Sequence, residues 1–109
     1  MVSSLNENRD FKRAYYKGKS LAHPLLVTYA LKNRRGEPRM GVTVSKKVGN
    51  AVKRNRAKRV ISAAFRELAP SISGAYDIVL VARSKTGLSK SPEVLLVMER
   101  QFRQLGLVP

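Results

Sequence analysis

The chain lacks cysteine and has a single histidine, His23. Without cysteine it can form neither a disulfide framework nor a thiolate zinc site, and one imidazole is too few for a histidine metal cluster. Acids are scarce as well, and a metal-dependent nuclease needs clustered carboxylates. The seven acids are scattered and form no visible pair: Glu7, Asp10, Glu37, Glu67, Asp77, Glu93 and Glu99. We therefore predict no catalytic residue and no metal site in the protein itself.

Long apolar runs are absent too. The longest contain four or five residues, as in 94–98, whereas a helix that crosses a bilayer needs about 20. The polar start, with Glu7 and Asp10, is typical of neither a signal peptide nor a transit peptide. At this length, and with no linker or internal repeat, residues 1–109 are predicted to form one domain, which we expect in the cytoplasm.

Positive charge is what the chain has in excess. Lys and Arg number 22 against seven acids, which gives a net charge of +15. Seven of these cations lie within fourteen residues, and no acid occurs from Pro38 to Arg66: Lys46, Lys47, Lys53, Arg54, Arg56, Lys58 and Arg59. Because apolar residues are interleaved with them, the cations are expected at fixed positions on a folded surface. Nucleic acid is favoured over a merely solvated face or a membrane surface.

Hydrophobic periodicity predicts an α+β fold, a two-layer α-β sandwich with an about four-stranded sheet and the order αβββαβα. A short helix lies between Asn8, a possible cap, and Gly18. Strands are predicted at 25–32, 40–45 and 76–83, the first two paired with each other. The first is apolar on both faces, so each face should be covered at least in part, and the third is a mostly continuous apolar run, which predicts an internal strand. A long helix runs from an Asn50 cap to about residue 69, and a last helix starts at a Ser91 cap. The long helix has an apolar stripe: Ala57, Val60, Ile61, Ala64, Phe65 and Leu68.

The first half of the long helix conflicts with its own dipole. Cations near a helix N-terminus are unfavourable by a few tenths of a kcal/mol each, yet Lys53, Arg54 and Arg56 lie there. Such local inconsistencies often mark functional sites. A phosphate backbone would resolve the conflict, since helix N–H groups and guanidinium groups both bind anions. We therefore predict that this helix binds nucleic acid.

The stretch 44–59, VSKKVGNAVKRNRAKR, resembles the signature of the protein subunit of bacterial ribonuclease P. The resemblance extends downstream to Phe65 and Arg66, and upstream to the segment 8–11 (NRDF), Tyr15 and Gly18. It implies a left-handed βαβ crossover, an exception to the usual rule. It also implies a ribonucleoprotein endoribonuclease that removes the 5′ leader of precursor tRNA. Its RNA subunit would perform the chemistry with Mg²⁺, and the protein alone would be inactive.

The resemblance implies two sets of RNA-binding residues. Contacts with the RNA subunit are expected from Lys53, Arg54, Asn55, Arg56, Lys58, Arg59 and Arg66. Contacts with the precursor-tRNA leader are expected from the rings of Phe11, Tyr15 and Tyr29, with Lys12, Lys17, Lys46 and Lys47 as nearby cations. Spacing alone favours a core role for Phe11 and Tyr15, whereas the resemblance favours a cleft. Ser62 and Ala63 depart from the Arg and Glu that the family often has there.

A second function stays open. A ribosomal or general RNA-packing protein would use the same basic face but would need no aromatic cleft. The partners expected under the first hypothesis are the catalytic RNA and precursor tRNA, with no membrane and no small-molecule substrate.

Overall fold

The computed structural model describes residues 3–109, and these residues form a five-stranded mixed sheet and three α-helices. Residues 1 and 2 of the predicted domain 1–109 lie outside the described residues. The elements are β1 (Ser3–Ser4), α1 (Asn8–Lys17), β2 (Lys19–His23), β3 (Leu26–Lys32), β4 (Arg39–Thr43), α2 (Ala51–Leu68), β5 (Tyr76–Ala82) and α3 (Ser91–Gln104). Single-turn 3₁₀ helices occupy Lys46–Val48, Ala69–Ser71 and Thr86–Leu88. From α1 to α3 the predicted order αβββαβα is confirmed.

The strand order is β1–β4–β5–β3–β2, with β5 in the centre. β5 is parallel to β4 and antiparallel to β3, so that Val79 pairs with Gly41 on one side and with Tyr29 on the other. The predicted direct pairing of the strands at 25–32 and 40–45 is therefore wrong. β5 is almost wholly buried, and a buried strand must satisfy its backbone N–H and C=O groups on both sides, which two flanking strands achieve.

The two outer strands were not located from the sequence. β2 pairs antiparallel with β3, and four of its five residues are exposed. Its sequence, KSLAH, contains no β-branched residue, and for this reason it gives no strand signal. β1 has only two residues. The predicted four-stranded sheet thus corresponds to β2, β3, β4 and β5, with β1 added at one edge.

The larger hydrophobic core lies between the sheet and the layer formed by α2 and α3. It contains Ile61 from α2, Ile78 and Leu80 from β5, and Met98 and Phe102 from α3, none of them exposed. The predicted stripe of α2 is confirmed, with Leu68 only partly buried. Each large side chain buried in this way contributes about 1.5–3 kcal/mol relative to an exposed one. This layer fixes α2 on the sheet and leaves its opposite side in solvent.

α1 packs on the other face of the sheet, over a smaller cluster. Leu5, Ala14 and Val79 are buried there, and Phe11 and Tyr29 pack partly buried against them. The prediction that both faces of β3 are covered, at least in part, is confirmed. A single helix of ten residues is too short to cover the face of a five-stranded sheet, so part of that face stays open.

The helix ends agree only partly with the predicted caps. Asn50 caps α2 as predicted, since its Oδ1 accepts a hydrogen bond of 3.0 Å from the Lys53 amide. Asn8 and Ser91 are instead the first helical residues of α1 and α3. The cap positions Glu7 and Lys90 form no side-chain cap bond. Sequence patterns locate a helix start only within a residue or two.

β4, α2 and β5 form the expected crossover, because β4 and β5 are parallel neighbours joined through α2. Its left-handedness stays an expectation from the resemblance. Among the helices in residues 3–109, none is both long enough and apolar enough to cross a bilayer.

Candidate RNA interface

The solvent side of α2 carries a shallow depression that we call the outer face. Its lining residues are Val52, Asn55, Lys58, Arg59, Ser62 and Arg66. Four of the predicted RNA-subunit contacts, Asn55, Lys58, Arg59 and Arg66, are thus brought together. Val52 lies among them and is 73% exposed, so the outer face combines cations with an apolar contact. Ser62 also lines the depression and contributes a small uncharged side chain.

The other three predicted contacts lie on the flanks of α2. Arg54 is half-buried beside Val42 and Val44, and its Nε is buried with no hydrogen-bond partner in the described chain. Arg56 points to the opposite flank, where its Nε donates to the Gly87 carbonyl at 2.8 Å. Lys53 is exposed. The three cations therefore extend away from the outer face in different directions, which suits a folded RNA better than a flat surface.

No ion pair between described residues neutralises any of the seven cations between Lys46 and Arg59. The ion pairs lie elsewhere, for example between Arg103 and Glu99 on α3. These cations therefore repel one another, and a bound polyanion would reduce that repulsion by taking the place of the counterions around them.

The three predicted aromatic residues come together between α1 and the sheet. The rings of Tyr15 and Tyr29 make an edge-to-face contact with centroids 4.9 Å apart. The Tyr15 hydroxyl and Thr43 Oγ1 share a hydrogen bond of 2.9 Å. Phe11 lies directly over Gly41, where an added Cβ would be only 2.5 Å from its Cζ. Glycine is therefore required at position 41 for this ring to approach the sheet.

Beside these rings the sheet face is open. Strand register places Thr43, Val81, Val27 and Ala22 in one row across β4, β5, β3 and β2. Val27 and Val81 are only partly buried. We call the rings of Phe11, Tyr15 and Tyr29 with this row the aromatic cleft. Val27 shares the parity of Tyr29 in β3, so its place on this face could be predicted from the sequence, whereas the register of the row across four strands could not.

The competing assignments of the rings are both partly correct. Phe11 packs against the small cluster and is half-buried, whereas Tyr15 is 38% exposed and forms the rim of the cleft. Tyr16 was missed entirely. It is 92% exposed and follows Lys12 by one helical turn, so the two share one flank of α1.

The predicted cleft cations differ in position. Lys46 and Lys47 are exposed and follow β4 just beyond Thr43, at the open end of the cleft. Lys12 is exposed and lies three residues before Tyr15, hence on its flank of α1. Lys17 is not brought to the cleft. It borders a separate depression with Lys19, Lys32, Tyr76 and Leu105.

A buried ionic cluster lies where α1 begins to cross the sheet. Arg39 donates from Nε and Nη2 to the two carboxylate oxygens of Asp77, at 2.8 and 2.7 Å, and its Nη1 lies 3.5 Å from Asp10 Oδ2. Asp77 Oδ1 also accepts from Asn33 at 2.9 Å, and Asp10 pairs with Arg13 at 3.0 Å. Burial raises the pKa of Asp77, but the hydrogen bonds from Arg39 and Asn33 outweigh it and keep that pKa below its usual value.

Asp10 and Asp77, which are distant in sequence, thus approach the same guanidinium. Both carboxylates are already neutralised by arginine, and this does not favour binding of a cation. Within residues 3–109, no three or more Asp, Glu or His side chains are grouped so as to hold a metal ion.

Comparison with known proteins gives a consistent result. The family model described as Ribonuclease P matches residues 2–106. The ribonuclease P protein component of Clostridium beijerinckii is 40% identical over 98% of this chain and 91% of its own length. That of Clostridium novyi is 45% identical over 94% of this chain and 93% of its own length.

Solved structures agree with these sequences. The RNase P protein of Staphylococcus aureus is 32% identical and superimposes with a TM-score of 0.87 over 100% of both chains. That of Thermotoga maritima is 29% identical, with a TM-score of 0.79 over 93% of this chain and 96% of that one. The chain therefore belongs to the ribonuclease P protein family, the protein components of this tRNA-processing ribonucleoprotein.

Proposed function

We propose that the chain acts in the cytoplasmic ribonuclease P holoenzyme by binding two RNA strands at once. The outer face of α2 and its flanking cations bind the RNA subunit, and the aromatic cleft binds the 5′ leader of precursor tRNA. The RNA subunit supplies the cleavage chemistry with Mg²⁺. The protein contributes binding and orientation, and neither a catalytic residue, a small-molecule substrate nor a membrane takes part.

Charge and shape support the RNA-subunit side. The cations of α2 come from one rigid element that is capped by Asn50 and held on the sheet by its buried stripe. They therefore meet the RNA at fixed spacing, and little side-chain freedom has to be lost beyond the arginine and lysine tips. If about six to eight of the predicted cations contact phosphates, affinity should fall with salt at a log-log slope of roughly −4 to −7.

The chemistry of the cleft supports the leader side. Single-stranded RNA is bound by aromatic rings that stack on bases, with cations along the phosphates, at roughly 1–3 kcal/mol per stacked base. The Tyr15 ring is partly exposed beside the half-buried Val27 and Val81, and Lys46 and Lys47 are close in sequence to Thr43 at its end. In a duplex the bases stack on each other, so the rings of the aromatic cleft cannot stack on them.

The two surfaces lie on opposite sides of the sheet, and the chain links them as it passes from Thr43 at the cleft through Lys46 and Lys47 to the start of α2 at Ala51. A leader bound in the cleft is thereby held on the same rigid domain as the RNA subunit. This contact is remote from the scissile bond and is present in the precursor but not in the product. It therefore favours binding of precursor over mature tRNA and helps to orient the cleavage site.

The observation that carries this proposal is the Tyr15–Tyr29 pair beside an open apolar sheet face. The test is the double variant Tyr15→Ala with Tyr29→Leu, in which leucine fills the half-buried position. In reconstituted holoenzyme we compare the Kd for mature tRNA with the Kd for precursor tRNA. The ratio of the first to the second should fall by about 10-fold or more, because two stacking contacts with the leader are lost. Tyr76→Leu, which removes a ring outside the cleft, is the matched control and should leave the ratio unchanged.

Equal weakening of precursor and mature tRNA by the cleft variant would contradict leader binding. That result would favour a general RNA-packing protein, which needs the basic face alone.

A further inference from the structure

We infer that Arg39 is a positioning residue for the aromatic cleft: through Asp10 and Asp77 it sets where α1, and with it Phe11 and Tyr15, lies on the sheet. This inference rests on the proposed leader-binding function. It concerns a residue that lies beneath the start of α1 and that neither the basic motif nor the aromatic motif includes.

Arg39 joins three separate elements. It belongs to β4, it grips Asp77 of β5 with two hydrogen bonds of 2.7 and 2.8 Å, and it reaches Asp10 of α1 at 3.5 Å. The side chains of all three residues are more than nine-tenths buried. The bidentate pair with Asp77 fixes the Arg39 guanidinium on the sheet. The longer contact with Asp10 then positions the start of α1 relative to that guanidinium.

The cluster lies immediately beside the cleft. Asp10 precedes Phe11 in α1, and Arg39 lies two residues before Gly41, the residue against which the Phe11 ring packs. Residues two apart in a strand share a face. A shift of α1 at Asp10 therefore moves the Phe11 ring along the sheet, and it also changes the angle at which Tyr15 meets Tyr29 and Thr43.

Among the described residues, α1 is otherwise held on the sheet by a small apolar cluster and one side-chain hydrogen bond. The buried members of that cluster are Leu5, Ala14 and Val79. At the far end of α1 the Tyr15–Thr43 hydrogen bond joins helix and sheet. Buried ion pairs often stabilise a fold no better than apolar residues of similar volume would. Their advantage is a defined geometry, which a ligand site on a weakly packed helix needs.

A matched pair of carboxylate-to-amide changes separates positioning from charge. Asp10→Asn removes the carboxylate charge that pairs with Arg39 and Arg13, whereas Glu7→Gln changes an exposed acid whose partner is Arg9. Both raise the net charge from +15 to +16, so electrostatics alone predicts slightly tighter binding of every RNA by both. Positioning predicts that Asp10→Asn alone lowers the preference for precursor over mature tRNA, by about 3- to 10-fold, as misplaced rings lose part of their stacking.

Two further variants complete the test. Arg39→Lys keeps the charge but loses the bidentate geometry, and it should lower the same preference even if Asp10→Asn fails to fold. Combining Asp10→Asn with Tyr15→Ala should produce less than the sum of the two effects, because contacts that act through one site are not additive. Thermal unfolding of each variant checks that the fold persists at the assay temperature.

The inference is overturned if folded Asp10→Asn and Arg39→Lys proteins keep the precursor preference of Glu7→Gln, or if the Asp10 and Tyr15 effects simply add. If the Tyr15→Ala, Tyr29→Leu variant also keeps that preference, leader binding in the cleft fails as well. If that variant loses the preference while Asp10→Asn and Arg39→Lys retain it, leader binding stands and only the role of Arg39 is refuted.

Discussion

Removing two cations from the outer face of α2 should weaken binding of the RNA subunit and also make that binding less dependent on salt. The change is Arg59→Gln with Arg66→Gln. Both side chains are exposed, and within residues 3–109 their side chains form one hydrogen bond, a long one of 3.4 Å from Arg66 Nε to the Ser62 carbonyl. Surface changes of this kind alter stability by no more than about 0.5 kcal/mol, so any loss of affinity reports on binding.

The magnitude follows from counterion release. Each phosphate contact contributes about 0.7–0.9 to the slope of log affinity against log salt, so losing two reduces the slope by roughly 1.4–1.8. If the variant and the unchanged protein bind the RNA subunit equally well at 1 M salt, the variant binds it about 25- to 60-fold more weakly at 0.1 M. The assay is a titration of labelled RNA subunit with protein at four or more salt concentrations.

The matched control is Arg34→Gln with Arg35→Gln. It removes the same charge from exposed positions in the turn between β3 and β4, outside α2. If net charge alone governs affinity, the two double variants will show the same slope and the same loss. That outcome would refute the assignment of the RNA subunit to the outer face, whereas a slope change confined to the α2 variant supports it.

Two other predictions concern the fold. The pKa of Asp77 is lower in the folded protein than its ordinary value of 3.8. The ionised Asp77 carboxylate therefore contributes its full stabilisation at a pH above 3.8, and this stabilisation is lost as the pH falls through the pKa of the folded state. Asp77→Asn should flatten the acid side of a stability–pH profile measured by urea unfolding. Asn50→Ala removes the cap of α2 and should cost about 1 kcal/mol of unfolding free energy, whereas Asn6→Ala, at an exposed position outside any helix or strand, should cost under about 0.5 kcal/mol.

Elements with a strong local pattern were predictable from the sequence. α2 has a 3.6-residue apolar period, an asparagine cap and a proline two residues after its end, so its buried face and start were identified. β5 is a nearly continuous apolar run, which predicted a buried internal strand. The basic face of α2 followed from the same periodicity, because the residues opposite a buried stripe must be exposed.

Features that depend on long-range contacts were not predictable. Nothing local shows that β5 inserts between β3 and β4, because the paired residues are 38 positions apart for β4 and β5, as in Gly41 and Val79, and 44 or more apart for β3 and β5, as in Tyr29 and Val79. The same holds for the ionic cluster, in which Asp10, Arg39 and Asp77 are distant in sequence. Lys17 is a different case: it is two residues from Tyr15, and helical periodicity alone places it on the other flank of α1, away from the cleft.

The central claim is that two different RNAs occupy two different surfaces, and a tethered probe tests it most directly. Because the chain has no cysteine, single substitutions give unique attachment points for a chelate that generates hydroxyl radicals. Ser62→Cys places the probe on the outer face of α2, Tyr16→Cys places it beside the aromatic cleft, and Ser71→Cys serves as an exposed control.

In the holoenzyme bound to precursor tRNA, the probe at position 62 should cleave the RNA subunit, and the probe at position 16 should cleave the 5′ leader. Cleavage of the same RNA by both probes, or no cleavage above that of the control at position 71, would contradict the account.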